Sequence, residues 1–184
     1  MYGKDVGSLN VKVHGKSTVW TRTGQQTKDG DTWTRGSIQL PPSMTGQRFQ
    51  IDFLGKRGSG PYGDIAIDDV TVTEVCPTTK RPTTVSSAAL QSLHTLASPT
   101  TGSLPSSLKV EKVLMSCDFE NFCNFTQSTV DKFNWSKHKG RTSTGGTGPD
   151  TDHTTHHVTG SYLYIETSAY VPPSAGHGIS PSHR

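Results

Sequence analysis

Residues 63–76 read Gly-Asp-Ile-Ala-Ile-Asp-Asp-Val-Thr-Val-Thr-Glu-Val-Cys, and this stretch decides the fold class. Apolar and polar residues alternate around Ile65 and Ile67 and again around Val70 and Val72, as expected of strands that bury one face. The phase of the alternation shifts at the two aspartates between these pairs, which suggests a β-bulge. No neighbouring segment holds a helical period for ten residues. Antiparallel sheets joined by turns are therefore the predicted architecture.

Similar patterns occur on both sides of this stretch. Residues 9–13 and 49–53 alternate strictly, and residues 110–120 and 161–167 also have strand composition. Residues 141–157 are dense in Gly, Thr, Asp and His, which predicts a long loop.

The composition changes along the chain and predicts its domain organisation. Of the 184 residues only 30% are hydrophobic, which is little for one core across the whole length. Residues 77–107 contain 4 Pro, 7 Thr and 7 Ser, and such a stretch buries too little apolar surface to offset its ordering entropy. We expect structured segments at 1–76 and 113–170, a disordered linker at 77–112 and a disordered tail at 171–184.

The charge pattern excludes two classes of partner. The net charge is +3, and the lysines and arginines are scattered rather than clustered. Nucleic acid and anionic membrane are therefore not expected as partners. The chain has no apolar run of about 18 residues, and residues 1–13 lack the apolar region of a secretion signal. No contact with a membrane is expected within this sequence.

Three cysteines indicate an oxidising compartment. Cys117 and Cys123 are separated by five residues, so they can close a short loop as a disulfide, while zinc would require a second pair at suitable spacing. Cys76 is left unpaired in this chain. Two acceptor triplets for N-linked glycans, beginning at Asn124 and Asn134, point to the same compartment.

Two motif matches do not predict a nucleotide site. Residues 58–63 spell G-x-G-x-x-G, but a strand pattern rather than a helix follows, so no helix N-terminus is present to hold a pyrophosphate. Residues 15–17 resemble the end of a phosphate-binding loop but lack its first glycine. The sequence has no H-E-x-x-H and no G-x-S-x-G, and we assign no catalytic residues and no enzymatic activity.

Longer strings resemble a known extracellular module. In the first segment they are Met1-Tyr2-Gly3, Leu9-Asn10-Val11, Trp20, Gly30-Asp31-Thr32-Trp33, Phe49-Gln50-Ile51-Asp52-Phe53 and residues 63–76. In the second they are Ser116-Cys117-Asp118-Phe119-Glu120, Cys123, Phe133-Asn134-Trp135, Thr147-Gly148-Pro149, Asp152-His153-Thr154 and residues 160–166. The first set resembles the C-terminal half of a MAM domain, and the second resembles the N-terminal half of another.

This resemblance implies a fold and a class of function. The family fold is a jelly-roll-like β-sandwich of antiparallel sheets, used in adhesion between extracellular proteins or between copies of one protein. Cys117 and Cys123 match the family's first two cysteines and Cys76 its fourth, while the third has no counterpart here. We expect an extracellular, non-catalytic interaction module that is secreted or part of an ectodomain. The alternatives are an accessory region of a secreted or membrane-bound metalloprotease and a matrix array.

The resemblance also raises calcium as a ligand. Some MAM domains bind calcium, and the matching acidic positions are Asp118, Glu120, Asp152 and Asp69, with Asp68 as an alternative to Asp69. In a second interpretation these carboxylates only accept hydrogen bonds from turn amides or lie on a bulge. The loop histidines, which are His153, His156 and His157, are expected to be solvated.

Two further expectations concern packing. Trp20, Trp33 and Trp135 are expected in the core. Each segment lacks the strands that the other has, so we expect the two to pair as a circularly permuted domain, either within one chain or swapped between two chains, if this sequence folds by itself.

Overall fold

The structure, a computed structural model, is built from antiparallel strands in the part of the chain that it describes. That part comprises residues 1–13, 17–76, 110–121, 123–129, 133–166 and 177–181. The strands are β1 (Ser8–Val13), β2 (Ser17–Thr23), β3 (Ile51–Lys56), β4 (Ile65–Ile67), β5 (Val70–Cys76), β6 (Val110–Cys117), β7 (Phe125–Gln127), β8 (Ser136–Lys139), β9 (Ser161–Ile165) and β10 (His177–Pro181). A single 3-10 turn, Pro42–Met44, is the one helical element among these residues. The predicted all-β class is confirmed.

The larger sheet has five strands in the order β2-β1-β3-β10-β7. Strand β1 pairs with β2 and with β3, and its apolar positions Leu9, Val11 and Val13 are buried while the residues between them are partly exposed. This is the burial pattern that the alternation predicted for residues 9–13.

The smaller sheet has three strands in the order β4-β9-β8. All five residues of β9 are buried, so both faces of this middle strand are covered. Leu163 and Ile165 belong to the core between the sheets. On the opposite face the hydroxyl of Tyr162 donates to the carbonyl oxygens of Gly140, at 2.6 Å, and Pro149, at 3.2 Å. The loop at 140–160 therefore covers the outer face of β9.

Strands β5 and β6 form a separate two-stranded ribbon. It pairs Val70 with Cys117 at one end and Cys76 with Val110 at the other, so the chain leaves the ribbon and returns to it at one point. Residues 110–112, which were expected to belong to the linker, are part of β6. The expectation of a bulge at the two aspartates was wrong. The chain leaves the three-stranded sheet at Ile67 and enters the ribbon at Val70, with a left-handed φ of 48° at Asp69 between them. A chain that passes from one sheet to another also changes which alternate residues are buried. The sequence pattern therefore does not distinguish a β-bulge from a change of sheet.

Residues from both segments build the core between the sheets. Its buried members from the first segment are Val6, Leu9, Ile65 and Ile67, and those from the second are Cys117, Phe119, Phe125, Trp135, Leu163 and Ile165. The sheets approach closely at Gly55, where an added Cβ would lie 2.0 Å from Cδ1 of Ile165. The pairing of the two segments that the sequence analysis raised is present in the structure.

The C-terminal end of the chain requires a correction. Residues 171–184 were expected to form a disordered tail, but 177–181 form β10, which pairs with β3 on one side and β7 on the other. Its sequence, His-Gly-Ile-Ser-Pro, has one strongly apolar residue and therefore no alternation to detect. Its place in the sheet is given by backbone pairing with strands that are distant in sequence. The rest of the expected tail and most of the linker lie outside the described residues.

Candidate functional site

The turn after β6 is closed by the disulfide between Cys117 and Cys123, whose Cα atoms lie 5.7 Å apart. The chain turns sharply here, with positive φ at Phe119, Cys123 and Asn124. Phe119 is fully buried under the turn and tilts against the ring of Phe125. The predicted disulfide is confirmed. With three cysteines in the sequence, the bond leaves no second cysteine in this chain for Cys76.

Asp152 organises the second half of the 140–160 loop from inside. Its side chain has no exposed surface, and it accepts hydrogen bonds from the amides of Thr155, at 2.7 Å, and His157, at 3.0 Å, and from the Thr155 hydroxyl, at 2.7 Å. Burial alone would raise the pKa of Asp152, but these hydrogen bonds to the carboxylate outweigh it and hold the pKa below its usual value. Gly160 makes room for the carboxylate, since an added Cβ there would lie 2.1 Å from its Cγ.

The first segment anchors the loop through Asp31 and Trp33. One carboxylate oxygen of Asp31 accepts from the amides of Asp150 and Thr151, both at 3.0 Å, and from the Thr151 hydroxyl at 3.1 Å. The indole of Trp33 donates to the carbonyl oxygen of Thr151 at 3.2 Å and packs edge-on against the ring of Tyr162. A loop from one segment is thereby held by side chains from the other.

A second anchor lies in the first part of the loop. The Thr147 hydroxyl donates to the carboxylate of Asp64 at 2.7 Å, and both side chains are buried. The Asp64 amide in turn donates to the Thr147 carbonyl oxygen at 3.0 Å. Sequence reasoning singled out neither Asp31 nor Asp64 as a site residue, because their partners lie 83 to 120 positions away.

The third anchor is the junction between β4 and β5. A carboxylate oxygen of Asp68 accepts from the His153 amide at 2.8 Å, and Asp69 accepts from the Thr154 hydroxyl at 2.8 Å and lies 2.5 Å from Nδ1 of His153. Burial raises the pKa of Asp68 to about 6, because hydrogen bonds from the His153 and Asp69 amides only partly compensate the lost solvation.

The residues proposed as calcium ligands lie in two places. Asp118 and Glu120 belong to the disulfide turn, where Asp118 accepts from the Glu120 amide at 3.1 Å and Glu120 accepts from the Ser161 amide at 2.5 Å. Asp152 and Asp69 belong to the loop and its third anchor. Within the described ranges no group of three His, Cys, Asp or Glu side chains is arranged to hold a metal ion. Asp118 and Asp152 do accept from turn amides, as the second interpretation expected, and the calcium assignment stays a prediction.

The three tryptophans differ in their surroundings. Trp135 is a core residue as predicted, with an exposed fraction of 2%, and Trp20 is partly buried against the core cluster. Trp33 is also partly buried, but it contacts the rings of Tyr162 and His153 on the outer side of β9 and lies in no strand. The expectation that Trp33 belongs to the core was therefore wrong.

One part of the anchored loop faces solvent. Every residue from 153 to 159 is exposed, including the three loop histidines and Val158, whose exposed fraction is 56%. We refer to residues 153–159 as the loop surface. Behind it lie the Asp152 hydrogen bonds and the anchors from the first segment. A solvent-facing loop on a fixed scaffold is a common position for a binding site.

Comparison with known families agrees with this fold. The sequence model of the family described as MAM domain, meprin/A5/mu matches residues 1–77 and 117–184, which is most of the chain. The chain belongs to the MAM domain family. The matched ranges include the first structured segment, the second segment from Cys117 onward and also β10. No solved structure gives a significant match to the chain.

Individual MAM relatives cover less of the chain. It is 42% identical over 84 residues to MAM domain-containing glycosylphosphatidylinositol anchor protein 1 of Rattus norvegicus, a match that covers 42% of this chain and 8% of the relative. It is 38% identical over 80 residues to MAM domain-containing glycosylphosphatidylinositol anchor protein 2 of Homo sapiens, a match that covers 40% of this chain and 8% of the relative. It is 35% identical over 83 residues to Neuropilin-1 of Rattus norvegicus, covering 42% and 8%.

These MAM relatives define the compartment. Two of them are named as glycosylphosphatidylinositol anchor proteins, and none of the three is named as an enzyme. The chain is accordingly extracellular, in a secreted protein or an ectodomain. In the described part, no helix has the length and apolar character needed to cross a bilayer. The chain spans 8% of the length of the relatives that it matches.

Proposed function

We propose that this MAM chain is a non-catalytic module for adhesion-type contact between extracellular proteins. Membership of the family and the relatives named as glycosylphosphatidylinositol anchor proteins support the class of function. The observation that carries the proposal is the loop surface, which presents an unbroken run of exposed residues from a loop fixed at three points.

The anchors matter because ordering a flexible loop upon binding costs free energy. Each immobilised side chain costs about 0.5–1.5 kcal/mol in lost rotamer freedom, and ordering of the backbone adds to this. Asp31, Asp68 and Asp152 already restrict the backbone on which the loop surface lies. A partner would therefore meet a largely preorganised surface.

The surface also has suitable chemistry for a protein partner. It combines exposed imidazoles and hydroxyls with the apolar side chain of Val158, and the whole chain carries a net charge of only +3. Such a surface attracts no polyanion by long-range electrostatics. We propose another extracellular protein, or a second copy of this chain, as the partner.

A binding assay with matched substitutions tests the proposal. The chain is displayed at high density on beads, and the beads are tested for adhesion to one another and to cell surfaces. We expect V158K to reduce adhesion at least tenfold, because the new charge lies in the contact. V113K is the control, since Val113 is exposed to a similar degree, 58% against 56%, but lies on the β5–β6 ribbon. Equal adhesion of the two variants, or none by the wild type, would contradict the proposal.

A further inference from the structure

The two sequons occupy related positions in the sandwich. Asn124 is the residue before β7, and β7 is an end strand of the five-stranded sheet. Asn134 is two residues before β8, and β8 is an end strand of the three-stranded sheet. Each sheet therefore has one sequon at the start of one of its end strands.

The same pair of strands is joined by a hydrogen-bonded clasp. The side-chain amide of Gln127 donates to the Trp135 carbonyl oxygen at 2.7 Å, and the Trp135 amide donates back to the Gln127 side-chain oxygen at 3.1 Å. Because Gln127 ends β7 and Trp135 directly precedes β8, the end strands of the two sheets lie together. Both sequons thus mark one side of the sandwich.

Within each sequon the side chains divide between core and solvent. Asn124 and Thr126 are exposed while Phe125 between them is buried, and Asn134 and Ser136 are exposed while Trp135 is buried. The buried aromatic rings fix the two segments in the core. The asparagines face the solvent, so a glycan at either position needs no change in the fold.

End strands are where sheets are open to unwanted pairing. A strand with unpaired backbone groups can add a strand from another molecule, and proteins block this with charges, bulges, prolines or a covering element. An N-linked glycan is bulky and hydrophilic and can serve as such a cover. Chains that form the Cys117–Cys123 disulfide do so in an oxidising compartment such as the endoplasmic reticulum, where these glycans are added.

We propose that Asn124 and Asn134 both carry N-linked glycans, and that these glycans cover the β7/β8 side of the sandwich and prevent two copies from pairing through it. The two asparagines lie before β7 and β8 and are not part of the loop surface. This assignment does not depend on the proposed adhesion function.

The first test measures occupancy in protein secreted from eukaryotic cells. Substitution of Asn124 itself is unsuitable because its φ of 64° lies in the left-handed region, which asparagine tolerates better than glutamine. T126A and S136A each remove one sequon, whereas T126S and S136T keep it and serve as matched controls. We expect two glycans in the wild type and in both controls, one in each alanine variant and none in the double variant. An unmodified Asn at either position in the secreted wild type would overturn the assignment.

The second test measures self-association by sedimentation. All proteins in this test carry V158K, so that self-contact through the loop surface does not contribute. With both sequons intact this protein should stay monomeric, and with T126A/S136A it should associate at the same concentration. T126K/S136K also lacks both glycans but places a charge on each end strand, and it should stay monomeric. If the lysine variant associates as strongly as the alanine variant, or if the alanine variant stays monomeric, the covering role is wrong. The protein with both sequons intact, deglycosylated enzymatically under native conditions, should behave like the alanine variant, and it replaces that variant if the latter does not fold.

Discussion

The indole nitrogen of Trp135 donates a hydrogen bond of 3.1 Å to the carbonyl oxygen of Phe53, which lies 82 positions earlier in the chain. Trp135 belongs to the second segment and Phe53 to strand β3 of the first. The bond therefore crosses between the segments in the core. It ties the stability of one segment directly to the presence of the other.

Substitution W135F should destabilise the whole sandwich. The variant keeps an aromatic ring but leaves the Phe53 carbonyl oxygen without this donor, which costs about 1–3 kcal/mol, and W135A should lose about 3–5 kcal/mol because of the cavity. Urea unfolding measures both losses. V158A is the control, since a change at this exposed position should stay within about 0.5 kcal/mol. Equal stability of W135F and the wild type would mean that the core is not assembled around Trp135.

Substitution D152N should destabilise the loop whether or not calcium is present. The asparagine amide group places donors where Asp152 now accepts from Thr155 and His157, so about 1–3 kcal/mol should be lost. Thermal melts in calcium and in a chelator measure the effect. A loss seen only in calcium would instead identify Asp152 as a ligand.

The same melts test the calcium prediction in the wild type. A ligand that binds only the folded state raises the melting temperature, and the increase grows with the logarithm of the free ligand concentration above the Kd. A higher melting temperature in calcium than in chelator, together with heat on titration, is the expected result if calcium binds at either of the two places that hold Asp118 with Glu120 and Asp152 with Asp69. No shift and no heat would remove the site.

The pH dependence of stability should contain a contribution from Asp68. Its pKa is raised to about 6 in the folded state, whereas an unfolded aspartate titrates near 3.9. Between these values the folded state binds more protons than the unfolded state, so this contribution is largest below about pH 4 and is lost as the pH rises through about 6. The variant D68N does not ionise, and its melting temperature relative to the wild type should rise from pH 4 to pH 7.

His153 contacts Asp69, the residue next to Asp68, so the comparison needs a second background. The wild type and D68N are therefore also compared with H153Q added to both. This substitution removes the contact of His153 with Asp69 and does not change residue 68. The relative rise in melting temperature should persist there. A constant difference across the pH range in both backgrounds would contradict the assignment to Asp68.

Shortening the connection between β5 and β6 should stabilise the protein. Cys76 and Val110 are paired, so a four-residue Gly/Ser turn can replace residues 77–109. The loop-closure model then gives a gain of about 2 kcal/mol from the smaller entropy cost of closing the loop. Urea unfolding measures the gain. Loss of cooperative unfolding in the shortened protein would mean that the two segments do not form one unit.

Separate expression of the segments gives an independent check. Residues 1–76 and 110–184 should each show poor chemical-shift dispersion alone and gain dispersion and a cooperative melt when mixed. The reason is that β4 lacks β9 and β3 lacks β10 until the other segment is present. No gain on mixing would show that the segments do not recognise each other. A variant with Cys76→Ser avoids intermolecular disulfides.

Strand positions were predictable where burial on one face imposes a period of two. Leu9, Val11 and Val13 of β1 are an example, and the five-residue spacing of Cys117 and Cys123 was sufficient for the disulfide. Strand β10 was not predictable, because its sequence has no alternation and its pairing is with β3 and β7, which are distant in the chain. Local alternation carries no information about such distant pairing.

The residues of the candidate site were also only partly predictable from the sequence. Asp152 was identified because it lies in a string typical of the family, and its buried position agrees with that emphasis. Asp31 and Asp64 also lie in strings that resemble the family, but their contacts with the distant loop were missed because a carboxylate that fastens such a loop has the same local sequence as one in an ordinary surface turn. Three-dimensional proximity across more than eighty residues has no signature in a single sequence.

The division of the core between the segments has a consequence during synthesis. Ile65 and Ile67 emerge from the ribosome long before β9, to which they pair, has been translated. At roughly 5–20 residues per second, the first segment spends about 5–20 s without its partner strands. Throughout that interval its apolar strand faces are bare in the lumen of the secretory pathway. Secretion of this protein should therefore be sensitive to the supply of luminal chaperones, to a degree that a domain completed within its first hundred residues would not show.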